Sequence, residues 1–229
     1  MKRFFTFGDS WSYGAELQRH EKTFGELISQ QLGIRWHDFS VASTSIPHLI
    51  LQLNRAKEYC DIRDHDWQLS GTTALFFLTS PHRDLVWRDG RDKELHTVPV
   101  YLNPSHESDI DIRWYTEWHT PELATYRVNT TLMALHHLCR YHGIDDRYVW
   151  GWDRVELCPE VDRGRFWDFG ASTILDLFDD IDHRGSITTY SNTHPNRYVW
   201  PNSGHPNQQG HQRIATALTP WLEPTFRPV

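Results

Sequence analysis

The chain has 229 residues, a length that suits one domain. Hydrophobic residues make up 38% and charged residues 23%, which excludes an intrinsically disordered chain, and the net charge of −7 speaks against a nucleic-acid partner, whose phosphates require clustered Lys and Arg. With no apolar stretch of 18 residues, a membrane partner is not expected either.

In chain order, residues 3–7 (Arg-Phe-Phe-Thr-Phe) read as a first strand that stops at the small polar turn Gly8-Asp9-Ser10. Phe24, Leu27, Ile28 and Leu32 recur at helical spacing and are followed by Gly33, a helix with its stop signal. Residues 34–41 alternate apolar and polar side chains and predict a second strand. Ser45, with Pro47 in the first turn, predicts the start of a helix carrying Leu49, Ile50, Leu53 and Ala56 on one face. Residues 73–79 are almost continuously apolar, as a central strand buried on both faces requires. Thr120-Pro121-Glu122 opens a long helix that closes at Gly143; residues 147–151 form a short fourth strand. A terminal helix is predicted over residues 206–222, with Ile214, Ala217, Leu218 and Trp221 inward.

Strands that alternate with helices predict a three-layer α/β/α sandwich, a mainly parallel sheet of about five strands covered by helices, here as a single domain over residues 1–229. Ligands of such sheets bind beyond the carboxyl ends of the strands. Ser10, Ser43 and Ser80 each follow a strand and gather at that edge. Residues 82–118 and 153–201 are long, weakly periodic and rich in Trp, Arg, Asp and His; as insertions near the active edge they are expected to wall a cleft.

Ser10 and His205 carry the chemistry. A serine hydroxyl is a poor nucleophile until a neighbouring base takes its proton, and the sequence supplies a serine after the first strand and a histidine in Asn202-Ser203-Gly204-His205-Pro206, just before the last helix. His205 can accept the serine proton and return it to a leaving group. His211, in the terminal helix, reads as a packing or capping residue. The serine is not in a Gly-x-Ser-x-Gly elbow, since Ser12 stands where the second Gly would be.

Gly8-Asp9-Ser10 together with Asn202-Ser203-Gly204-His205-Pro206 resembles the GDSL/SGNH hydrolase superfamily, whose flavodoxin-like fold carries a Gly-Asp-Ser block after the first strand and an Asp-x-x-His block near the end. The resemblance implies a serine esterase in which Ser10 attacks and His205 serves as base. Asn202 stands where the family has Asp. An amide can accept the imidazole N–H and orient the ring but carries no charge, and Asp to Asn in a serine triad can cost about 10⁴ in rate. Three arrangements therefore stay open: a Ser10–His205 dyad with Asn202 orienting, a carboxylate from elsewhere such as Asp153, or a disabled site. By the same resemblance the oxyanion hole consists of the Ser10 amide, Ser43 where the family has Gly, and Ser80 (or Thr79) where it has Asn. Arg83 is positioned to bind an anionic group of the substrate.

No His-Glu-x-x-His, Cys-x-x-Cys, Walker loop or Gly-x-Gly-x-x-Gly occurs, so neither a metal nor another cofactor is expected. Cys60, Cys139 and Cys158 are scattered and odd in number, as in a chain kept reduced; Met1-Lys2-Arg3 leads into an apolar run too short for a secretion signal, and a cytoplasmic location is expected. The expected partner is a small-molecule or glycan ester, with loop tryptophans among the 11 in the chain favouring a small acyl group, acetyl, on a glycan. A non-catalytic glycan-binding protein on the same scaffold, and an acyltransferase or lipase-type esterase using the same residues, are the alternatives.

Overall fold

The computed structural model describes residues 2–63, 69–87, 95–98, 119–178 and 205–227. Its centre is a parallel sheet of β1 (Arg3–Phe7), β2 (Arg35–Asp38), β3 (Thr72–Leu78) and β6 (Asp145–Trp150), in the order β2-β1-β3-β6. Among the described residues this sheet has four strands where the sequence predicts about five. The place beyond β6 is taken by two single parallel bridges, Tyr148 to Phe166 and Trp150 to Thr173. The segment cannot run on as a strand. The Asp162 side chain caps one 3-10 turn (Arg163–Arg165) by accepting from the Gly164 amide at 2.9 Å, and Asp176 closes a capping box with Thr173 in another (Ile174–Leu177).

Side chains alternate across a strand, so each strand feeds two cores. Phe5, Phe7, Ala74, Phe76, Leu78, Tyr148 and Trp150 face one side, under α3 (His48–Arg63) and α4 (Pro121–Tyr141). Phe4, Leu75, Phe77 and Val149 face the other, under α2 (Phe24–Leu32) and α5 (Gln208–Leu222). That two-sided burial is why residues 73–79 carry almost no polar interruption. On the α3/α4 side the in-register neighbours Phe7, Phe76 and Tyr148 stack ring on ring at 4.7 and 5.4 Å, and Phe166 continues the row at 5.1 Å. Each fully buried ring of this kind contributes about 1.5–3 kcal/mol over an exposed one.

The helix ends follow their local chemistry. The Thr23 hydroxyl accepts from the Glu26 amide and Gly33, at φ 63°, closes α2; the Thr120 hydroxyl accepts from the Leu123 amide, with Pro121 in the first turn of α4. Two predicted starts move inward. The helix expected at Ser45 begins at His48, after a turn in which the His48 amide donates to the Ser45 carbonyl. The terminal helix begins at Gln208 rather than residue 206, because the Asn207 side chain caps it by accepting from the Gly210 amide. The second strand is four residues long rather than the eight of residues 34–41. Within residues 82–118, read as irregular, the described part holds a separate antiparallel pair, β4 (Asp84–Trp87) with β5 (Leu95–Val98). No described helix is long and apolar enough to cross a membrane.

With β1 flanked by β2 on one side and β3 on the other, the strand order reverses at β1. Loops leaving β1 and β3 diverge there and open a crevice at the carboxyl edge. Ser10 stands at that switch point.

Candidate active site

The first loop is held from three sides. Gln52 of α3 grips Gly8 twice, accepting from its amide at 2.9 Å and donating to its carbonyl at 2.8 Å. The same carbonyl accepts from the Thr44 hydroxyl and the Val41 amide, so the loops after β1 and β2 are tied together. Asp9, completely buried, caps the four-residue helix α1 (Ser10–Tyr13): one carboxylate oxygen accepts from the Trp11 amide at 2.9 Å. The other accepts from the Thr79 hydroxyl at 2.7 Å and faces Arg83 Nη1 at 3.4 Å. The loop after β3 is thereby locked to the loop after β1.

Ser10 follows as the first residue of α1, 8% exposed. Ser43, in the loop after β2, sits at φ 58°. A side-chain-bearing residue therefore adopts the left-handed backbone that a glycine would adopt without cost. Ser80 is buried at the end of β3; its hydroxyl donates to Asp153 and accepts from the His82 amide, both at 3.4 Å. The Thr79 hydroxyl, the alternative third donor, has its hydrogen committed to Asp9. Arg83 bridges Asp9 and the Thr44 carbonyl, and its guanidinium lies 5.8 Å from the centre of the Trp152 ring. Asp153, the carboxylate considered for the histidine, faces Ser80.

His205 enters just ahead of α5. Burial pushes its pKa below the ordinary histidine value, against the opposing pull of Glu16 and Asp9 and with a smaller push from Arg83. A histidine 195 positions down the chain from Ser10 thus feels the charges of the residue beside that serine and of the arginine after β3. Its Nδ1 lies 3.8 Å from Glu16 Oε2. His211 has the packing role read from the sequence: it is completely buried, accepts the Phe24 amide at Nδ1 (3.0 Å), and burial drives its pKa down to about 3. Asn202 lies outside the described residues, as do residues 88–94, 99–118 and 179–201 of the two stretches that were expected to wall the cleft.

Three features of the site were not read from the sequence. Gln52 gave no signal, being one polar residue on an otherwise apolar helix face. The Asp9–Thr79–Arg83 tie needs the β1/β3 pairing before its partners meet. Glu16 sits six residues past Ser10 in no recognisable pattern.

Comparison with solved structures decides the fold. The chain aligns with TesA at a TM-score of 0.51 and 11% identity, over 98% of this chain and 99% of that one. It aligns with an acetyl xylan esterase, Est2A, from the rumen bacterium Butyrivibrio proteoclasticus at 0.50 and 9% identity, over 97% of this chain and 63% of that one. The chain therefore spans about two thirds of the esterase's length. A member of the lipolytic G-D-S-L family from Veillonella parvula is also similar, at 0.44 and 10% identity over 95% of this chain and 96% of that one. The fold is that of the SGNH hydrolases. No protein-family model matches the chain, and no curated protein matches it in sequence.

Proposed function

We propose that this SGNH-fold protein is a serine ester hydrolase acting through an acyl-enzyme, with a small acyl group, acetyl, on a glycan as its substrate. One observation carries the reading: His205 Nδ1 lies 3.8 Å from Oε2 of Glu16, six residues past Ser10, while Arg83 from the loop after β3 meets Asp9, the residue beside that serine.

His205 Nε2 takes the hydroxyl proton as Ser10 Oγ attacks the ester carbonyl carbon. The negative charge that builds on the carbonyl oxygen is met by the Ser10 and Ser43 amides, with Ser80 turning its hydroxyl from Asp153 toward the oxyanion. Collapse of the tetrahedral species breaks the bond to the sugar oxygen, and His205 returns the proton to the leaving alcohol. Water, deprotonated by the same histidine, then attacks the acyl-Ser10 carbonyl; the acid departs and Ser10 recovers its proton. Asn202 orients the imidazole as an amide acceptor. Arg83, tied to Asp9 and lying over the Trp152 ring, presents its remaining N–H groups to a polar substrate.

Acetate release from acetylated oligosaccharides, compared with hydrolysis of long-chain esters, tests the substrate class. Wild type should release acetate and Ser10→Ala should not; a clear preference for long acyl chains would overturn the acetyl assignment. The rival is a glycan-binding protein without turnover, favoured by the side chain that Ser43 introduces into the oxyanion position; it predicts binding of acetylated glycan with no acetate released.

A further inference from the structure

The histidine of a serine hydrolase becomes positively charged when it takes the serine proton, and an amide at position 202 supplies no charge to offset it. The structure puts a carboxylate where such a charge is useful. Glu16 Oε2 lies 3.8 Å from Nδ1 of His205, the ring nitrogen opposite the Nε2 to which the proposed mechanism assigns the serine proton. That separation is too long for a hydrogen bond, but catalytic contacts of this kind are often loose without substrate and tighten in the transition state.

The backbone around Glu16 is specialised. Helix α1 ends after one turn at Gly14, φ 75°, whose amide donates to the Ser10 carbonyl; the Ala15 amide reaches the same carbonyl at 2.9 Å, and Leu17 N–H closes back on Gly14. Glu16 itself stands at φ 70° in the left-handed region, which a residue with a β-carbon occupies only where its surroundings impose it, and such positions concentrate at functional sites. Nucleophile and carboxylate thus sit on one short, mutually hydrogen-bonded turn, and the histidine comes to them from the far end of the chain.

Building on the esterase reading, we propose that Glu16 is the acidic positioning residue of the site. It faces Nδ1 of His205, favours the tautomer with the proton on Nδ1, and neutralises the imidazolium formed during attack, so that the first catalytic block supplies the charge that the last block lacks. The charged groups bearing on His205 are Glu16 and Asp9 from the first loop and Arg83 from the loop after β3; the further titratable group is His211 of α5. His211 is held neutral near pH 7, which leaves Glu16 as the exposed, substitutable carboxylate of the set.

The test pairs Glu16→Gln and Glu16→Asp with wild type, reading kcat and KM on acetyl esters and, separately, the His205 titration by NMR in the intact protein. Glu16→Gln keeps the shape and removes the charge. It should lower kcat by about 10- to 100-fold with little change in KM, shift the His205 titration midpoint to lower pH, and be partly rescued by Glu16→Asp. Glu16 is about half exposed, so neither change threatens folding. A kcat within twofold of wild type, or an unmoved His205 titration, overturns the proposal. Should wild type itself prove inert toward esters, the esterase reading fails by that result, and the NMR titration still decides the pairing: a fall in Glu16→Gln upholds it and no change refutes it.

Discussion

Gly8 shows how tightly the first loop constrains its residues. A β-carbon there would collide with Ser12 Oγ and come within 2.8 Å of Phe77 Cβ, so the position accepts no side chain without displacing a core ring. Gly8→Ala should destabilise the fold by about 1–3 kcal/mol, seen as a lower urea midpoint at unchanged slope, and should weaken Ser10 reactivity because the strained loop carries it. At His205 the direction of the shift makes a pH prediction. The base must be neutral to act, and burial depresses its pKa. The acid limb of kcat/KM should therefore fall with a midpoint below the ordinary histidine value near 6.5. His211 makes a different one, on stability. Its neutral ring is buried with a pKa of about 3, so between that value and about 6.5 the unfolded chain binds a proton that the folded chain refuses. The stability it contributes is full above pH 6.5 and is lost as pH falls toward 3, at a slope of about 1.4 kcal/mol per pH unit for one proton. His211→Gln, which keeps an acceptor for the Phe24 amide, should flatten the stability–pH curve by about one proton in that window.

Among the elements, the ones that feed both cores were legible and the edge elements were not. β1 and β3 are read from their apolar runs because burial on both faces leaves no room for polar residues; α2 and α4 are read from Gly33 and Thr120 as much as from their apolar stripes, and α5 from its stripe. The fifth strand fails because sheet edges tolerate capping aspartates: Asp162 and Asp176 turn the chain into 3-10 turns that touch β6 at single bridges, and pattern reasoning sees only another polar loop. In the site, the places of Ser10 after β1 and of His205 ahead of α5 were legible because a strand end and a helix start frame them. Glu16 was not, since its role depends on a left-handed backbone and on a partner from the other end of the chain. The contact between α2 and α5 is the one that delivers His205, and it rests on Phe24, Ile28, Ile214 and Leu218, all fully buried. Leu218→Ala should cost about 2–5 kcal/mol by leaving a cavity there, measurable by thermal or urea unfolding.

At the scale of the whole molecule, the parallel order β2-β1-β3-β6 does the positioning. It sends the loops after β1 and β3 apart over a crevice, and Asp9 holds the two together through Trp11, Thr79 and Arg83 at its rim. On the opposite edge a second polar network closes the fold: buried Asp146 receives His136, the Tyr148 hydroxyl and Arg165 at 2.9, 2.8 and 2.7 Å. Both carboxylate oxygens are engaged, by residues of β6, α4 and the segment after β6, which makes the network a fastening for the edge where, among the described residues, the sheet ends. The account stands on an activated serine at the switch point, and reaction with a fluorophosphonate probe followed by intact mass measures that most directly. One adduct on wild type, absent from Ser10→Ala and from His205→Ala, is the result predicted; a folded wild-type protein that takes up no probe would contradict it.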